Sequence, residues 1–182
     1  MRARLAAISA PAAERAAIRA ATSLASFPAF EACERVVLYA SLADELPSRP
    51  LFDRARAAGK LLLWPRIDAE GLVFAHCDTW EALVPGLFGV LAPTADAPST
   101  SLGAGDLLLV PGRAFDATGA RLGRGGGHFD RALARRGGAV ALGLAFACQL
   151  VQRVPTESHD QRVDAVLLED QLVTSSPIEE QG

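Results

Sequence analysis

Four uninterrupted apolar runs stand out along the chain, each of strand length and each bounded by polar or glycine positions: residues 35–41 (RVVLYAS), 60–65 (KLLLWP), 106–111 (DLLLVP) and 138–146 (GAVALGLAF). Runs that stay apolar instead of alternating belong to strands covered on both faces, which is the condition of a parallel sheet between helical layers. The first two runs are separated by a helical stretch over 48–58, so strand, helix and strand follow within about thirty residues, the length of a parallel crossover unit. Residues 71–76 (GLVFAH) predict a further strand, 164–168 a short last one, and 128–136 a helix. At the N-terminus, Ser9 is placed to cap a helix with Pro11 in its first turn, and an Ala-rich run with an Ala/Ile/Leu face continues through Leu24 until Pro28. Residues 84–102 hold many Gly, Pro, Ser and Thr without a clear period and read as a long loop. The expected fold is α/β: one domain spanning 1–182, with a mainly parallel central sheet flanked by helices.

Composition narrows the class. The chain has 182 residues, of which 50% are hydrophobic and 21% charged, so there is apolar surface enough to offset ordering entropy and build one core. A net charge of −3 leaves no electrostatic footprint for nucleic acid, and no uncharged stretch is long and unbroken enough for a membrane span. The Ala-rich N-terminal segment carries Glu14, Arg15 and Arg19 where a secretory leader has an apolar core, so a cytoplasmic location is expected. Cys33, Cys77 and Cys148 are far apart and show no CxxC spacing, which predicts reduced, buried thiols and neither disulfide nor thiolate zinc site. Nothing points to an obligate protein partner.

Candidate chemistry concentrates in one stretch, PGRAFDATGARLGRGGGHFDR over 111–131, which follows a buried strand and opens a helix. In open α/β sheets ligands bind outside the carboxyl ends of the strands. Gly125, Gly126 and Gly127 let backbone donors approach an anion closely, and Arg121 and Arg124 supply guanidinium forks suited to phosphate oxygens. The run is not a Walker A loop, lacking GK[ST], and the third glycine of GxGxxG falls on His128. A phosphate cradle and a plain Gly-rich turn with solvated arginines both fit the motif. Taken singly, Asp130 suits the positive end of a helix, Asp160 an Asx-turn, and Glu45 a solvated turn. His76 and His159 have no partner histidine at metal-site spacing and are expected to be exposed or structural. Trp64 and Trp80 fit a core or a cleft wall equally, and Cys148, after an apolar run, fits a packed thiol.

The run LVPG at 109–112, Phe115-Asp116, Gly119, RLGRGGG at 121–127 and Asp130-Arg131 resembles the signature of the 5-formyltetrahydrofolate cyclo-ligase family. Further matching residues occur in order: 39–45 with Ser48, Gly59-Lys60, Pro65-Arg66, 86–90, Gln149, Pro155, His159-Asp160, Val163-Asp164 and Val166. The resemblance covers about residues 10–170. It implies an ATP- and magnesium-dependent ligase that converts 5-formyltetrahydrofolate to 5,10-methenyltetrahydrofolate through a phosphorylated formyl (iminium phosphate) intermediate. By position, Arg121, Gly123, Arg124, Gly125, Gly126 and Gly127 match the ATP-phosphate loop, with Arg121 and Arg124 the residues expected to act in catalysis, and Asp130 and Asp160 match magnesium carboxylates. Glu45 matches a folate-contacting position and Arg66 lies in a motif near the same cleft. His128 and Phe129 stand where the family carries two tyrosines beside the substrate. At the N-terminus, Arg2 and Arg4 either replace the family's basic ATP-contacting segment or leave that contact unmade. A divergent paralogue with another substrate, and a non-catalytic phosphate-binding module, are the alternative functions.

Overall fold

Every apolar run enters one sheet, and alternate side chains of each run go to opposite sides of it. The computed structural model describes residues 1–69 and 71–175, so residues 70 and 176–182 of the expected 1–182 span lie outside it. In chain order the elements are α1 (Arg2–Ala6), α2 (Ala10–Ala25), α3 (Pro28–Ala32), β1 (Arg35–Val37), α4 (Arg49–Ala57), β2 (Leu61–Asp68), β3 (Gly71–His76), β4 (Val84–Pro85), β5 (Leu91–Ala92), β6 (Ser99–Thr100), β7 (Asp106–Pro111), β8 (Ala114–Phe115), β9 (Arg121–Leu122), α5 (His128–Ala134), β10 (Val140–Leu144), β11 (Ala165–Leu167) and β12 (Leu172–Thr174). The main sheet runs β12-β11-β10-β7-β1-β2-β3-β6. The five inner strands from β11 to β2 are mutually parallel, whereas β3, β6 and β12 pair antiparallel at the two sides.

Leu62, Trp64, Leu107, Leu109 and Leu142 point to one side, where α2 and α4 cover them with Ala17, Leu24, Leu51 and Phe52. Leu63, Leu108, Val110, Ala141 and Val166 point to the other, against Ala132 and Leu133 of α5 and the ring of Phe115. This two-sided burial is the reason the sequence shows unbroken apolar runs. Chain order reverses at β1, which has β2 on one side and β7 on the other. A bidentate pair fixes the start of this junction: Arg35 donates to Asp106 at 2.6 and 2.5 Å, and the two residues face each other in register.

Local readings need correction where a tertiary neighbour decides the outcome. Ser9 occupies the N-cap of α2, but its side chain makes no capping hydrogen bond. Ile18 lies outside the buried Ala/Leu stripe, 52% exposed. Pro28 starts the short helix α3, and the stretch 84–102 is tacked down by the β4–β5 pair and by β6. Trp64 is a core residue whose indole N–H donates to the Cys77 carbonyl at 2.8 Å, and Trp80 meets its ring edge-on at 5.4 Å. All three cysteines are free, yet only Cys33 is fully buried; Cys77 and Cys148 are half-buried against the core. Burial pushes the thiols of Cys33 and Cys148 up from their ordinary value. Among the described residues no helix is long and apolar enough to cross a membrane.

Candidate active site

The reversal at β1 opens a crevice beyond the carboxyl ends of β1 and β7, where open α/β sheets bind ligands. Here it is a cavity of about 820 Å³, walled by the turn after β1, by Pro65 and Arg66 of β2, by Pro111 and Gly112 at the end of β7, by the loop 123–127 and by the segment 155–160. The hairpin β8–β9 carries the chain from β7 to this loop. Asp116 closes its turn: one carboxylate oxygen accepts from the Thr118 hydroxyl and from the N–H groups of Thr118 and Ala120, and the other accepts the Val154 N–H at 2.8 Å. Gln149, 1% exposed, braces the same region by donating to the Gly112 carbonyl at 2.8 Å.

Every residue expected at the site lines this one cavity: Glu45, Arg66, Arg121, the loop 123–127, His128, Phe129, Asp130 and Asp160. Arg2 and Arg4 do not line it, so no basic N-terminal contact reaches the cavity from them. His159 lines it as an exposed side chain, and His76 is half-exposed beside Asp78 at 3.1 Å.

The two arginines are held differently. Arg121 is turned inward, with its side chain 4% exposed, its Nη2 donating to Asp130 at 2.9 Å, its Nη1 to the Pro111 carbonyl at 3.4 Å and its guanidinium 5.9 Å from the Phe129 ring. Its fork is therefore largely taken up by the protein, and Nε has no partner. Arg124, 40% exposed, reaches across the cavity mouth. Its Nη2 donates to Asp44 and, at 3.2 Å, to Glu45, while Nε donates to Glu45 at 3.3 Å, an arrangement that leaves Nη1 outside these contacts. Glu45 is not the solvated acid that its isolated context suggests: it is 10% exposed and its second oxygen accepts the Leu42 N–H at 2.9 Å. Burial alone pushes Asp44 up, but the hydrogen bond and charge of Arg124, with Arg113 behind, outweigh it and hold the carboxyl below its ordinary value. Tyr39, at the cavity wall, is buried with its hydroxyl unpartnered, and burial together with the Glu45 charge pushes the phenol well up.

Arg66 donates through Nη1 to the carbonyls of Thr94 at 2.6 Å and Ala97 at 2.8 Å, so this cavity-lining side chain is itself held by the 94–97 loop. Asp130 and Asp160 are joined through the chain, because the N–H of Gln161 donates to Asp130 at 3.4 Å, while Asp160 accepts the Glu157 N–H at 2.8 Å and closes the 157–160 turn. In each carboxylate one oxygen accepts these backbone or guanidinium N–H groups; the second oxygen of Asp160 lies 3.6 Å from Nε2 of the exposed His159, and that of Asp130 is outside these bonds. Among the described residues no group of three or more His, Cys, Asp or Glu gathers as a metal cage. Two hard oxygen donors without a third suit a magnesium ion that keeps waters and takes its other ligands from phosphates, so the donor set fits that ion.

Tyr39 lines the cavity, Asp44 meets Arg124 and Arg131 meets His128; all three fall in runs matched to the family, but none is assigned a role from sequence. Arg131 is three residues after His128 on α5, and that helical spacing is a signal from which the contact can be read.

With this geometry in hand, the comparisons are specific. The model of the 5-formyltetrahydrofolate cyclo-ligase family matches residues 1–169. A 5-formyltetrahydrofolate cyclo-ligase of Escherichia coli is 32% identical over 155 residues, covering 82% of this chain and 85% of that protein. The mouse protein of the same name is 27% identical over 161 residues, covering 78% and 76%. The NMR structure of Aquifex aeolicus 5,10-methenyltetrahydrofolate synthetase superposes with a TM-score of 0.80 at 26% identity, over 96% of this chain and 91% of that one.

Proposed function

Because the chain belongs to the 5-formyltetrahydrofolate cyclo-ligase family, we propose that its cavity binds ATP and 5-formyltetrahydrofolate together and closes the folate to 5,10-methenyltetrahydrofolate. One observation carries this reading: a glycine loop, two arginines, the half-buried Glu45 and the carboxylates Asp130 and Asp160, drawn from distant parts of the chain, all face one space of about 820 Å³. That volume suits two substrates side by side.

The formyl oxygen on N5 is a poor leaving group. It attacks the γ-phosphorus, the bond to the ADP oxygen breaks, and the carbon becomes an iminium phosphate. N10 then attacks that carbon, phosphate departs, and N10 loses its proton. Both steps need positioning and charge neutralisation more than a protein nucleophile. The loop 123–127 turns backbone toward the phosphates, Arg124 offers the free Nη1 edge of a guanidinium already oriented by Asp44 and Glu45, and Arg121 holds the loop from beneath. Glu45 faces the folate side, where its charge suits the N–H groups of a pterin, and Arg66, held by the carbonyls of Thr94 and Ala97, walls this side. Magnesium, which Asp130 and Asp160 would hold, supplies neutralisation of phosphate charge.

The test is the growth of methenyl absorbance from 5-formyltetrahydrofolate with magnesium and ATP, against a control without ATP. ATP-dependent product supports the reading; a flat trace from folded, ATP-binding protein replaces it with a paralogue acting on another substrate. In the same assay Arg124→Ala lowers turnover by about 10²-fold, the worth of a charge-assisted bond at a reacting phosphate. Its melting temperature falls only modestly, because the pair with Asp44 is exposed and Glu45, though 10% exposed, keeps the Leu42 N–H after losing Arg124. Full turnover in Arg124→Ala removes the arginine from the phosphate site.

A further inference from the structure

Arg131, which the mechanism above does not use, holds two parts of the site with one nitrogen. Its Nη2 lies 3.1 Å from the Gly126 carbonyl and 3.2 Å from Nδ1 of His128. A guanidinium is a donor only, so Nδ1 must accept, and the single proton of a neutral imidazole is then on Nε2. The same three groups interlock sterically. A Cβ on Gly126 would lie 2.8 Å from Cδ2 and 3.1 Å from Nε2 of His128, and a Cβ on Gly127 would lie 2.9 Å from Nη1 of Arg131. The imidazole edge that bears Nε2 is thus seated directly on the glycine loop, and both line the cavity.

We propose that Arg131 is a positioning residue that fixes His128 as its Nε2–H tautomer, and that His128 thereby adds a ring N–H donor to the glycine loop for an acceptor oxygen of the bound ligand. The occupant is an oxygen of the nucleotide phosphates or of the folate. The arrangement requires an imidazole at 128 and an arginine three residues on. The ligand half rests on the functional reading above; the tautomer half rests on the hydrogen-bond geometry alone.

The experiment uses full-length protein in mildly alkaline buffer, with the ring nitrogens of His128 assigned in a ¹⁵N spectrum by their loss in His128→Gln. Wild type shows the Nε2–H pattern, Arg131→Met a mixture of tautomers, and Arg131→Lys, which keeps a cationic donor, the wild-type pattern. A mixture in folded wild type, or no change in folded Arg131→Met, overturns the positioning role. The second arm compares His128→Gln, whose amide nitrogen reaches the place of Nε2, with His128→Asn, whose amide reaches that of Nδ1. Affinity for a non-hydrolysable ATP analogue and for 5-formyltetrahydrofolate is measured separately. The glutamine variant keeps wild-type affinity for one of them within about threefold and the asparagine variant loses about tenfold for that same ligand, the scale of one hydrogen bond. The ligand so affected identifies the acceptor. Equal affinities of the two variants for both ligands overturn the donor role. If wild type binds neither ligand, the functional reading fails and the ligand half falls with it, while the tautomer arm still decides the role of Arg131.

Discussion

Asp116→Ala unfolds at a melting temperature about 10 °C below wild type, the consequence of roughly 3–4 kcal/mol of lost stability. The carboxylate is 3% exposed and accepts four hydrogen bonds, from the Thr118 hydroxyl and the N–H groups of Thr118, Ala120 and Val154. Alanine leaves the buried Ala120 and Val154 donors unpaired, each at about 1–3 kcal/mol, and unties the β8–β9 turn from the loop at Val154. Burial by itself pushes the carboxyl up, but the Thr118 hydroxyl and the three N–H groups outweigh it and hold it below the ordinary value. A group depressed in the folded state contributes stability that is present above its unfolded pKa of about 3.9 and lost as pH falls through the folded value. Wild type therefore loses stability as pH drops below about 4, and Asp116→Asn, which cannot ionise, lacks this share of the slope. Thermal melts of the three proteins from neutral to acid pH check both points; a melting temperature of Asp116→Ala within a degree or two of wild type contradicts the assignment.

The same hairpin shows what sequence could and could not convey. The inner strands were legible because burial on both faces leaves an unbroken apolar run, as in residues 106–111 and 138–146. Strands β8 and β9 are two residues each, and β12 is a partly exposed Leu-Val-Thr; pairings this short are decided by the neighbour they meet and leave no period to read. The glycine loop and its arginines were legible as a candidate, because backbone access to an anion demands that composition, although a plain turn fits it too. Asp44 was not, because it becomes part of the site only by meeting Arg124, 80 residues away. Glu45 was legible only through the family resemblance, since nothing near it in the chain announces that Arg124 and the Leu42 N–H will engage it. The open choice for Trp64 was settled by its neighbours: the ring sits with Phe52 and Trp80 on the helical side of β2, away from the cavity.

Asp130→Ala loses both stability and turnover, and the two losses have separate causes. Arg121 brings a guanidinium to 4% exposure with Asp130, at 2.9 Å, as its counterion, and its Nε is already unpartnered. Removing the carboxylate strands that charge, which costs about 3–5 kcal/mol and lowers the melting temperature by about 10–15 °C. The N–H of Gln161 loses its acceptor as well, so the segment carrying Asp160 is released from α5. Replacing both partners by apolar residues, Arg121→Met with Asp130→Leu, removes the stranded charge and returns stability to within about 1–2 kcal/mol of wild type, because a buried pair is weakly stabilising compared with a packed apolar one. On the proposed function turnover does not return with it, since the loop loses the arginine beneath it together with the carboxylate proposed for the cation. A purely cation-binding Asp130 gives a different result: Asp130→Ala then melts with wild type and the double variant brings no recovery. Titrating magnesium completes the separation. If Asp130 serves the cation as well as Arg121, Asp130→Asn raises the magnesium concentration needed for half-maximal turnover, and Arg121→Met, where folded, leaves that concentration near its wild-type value.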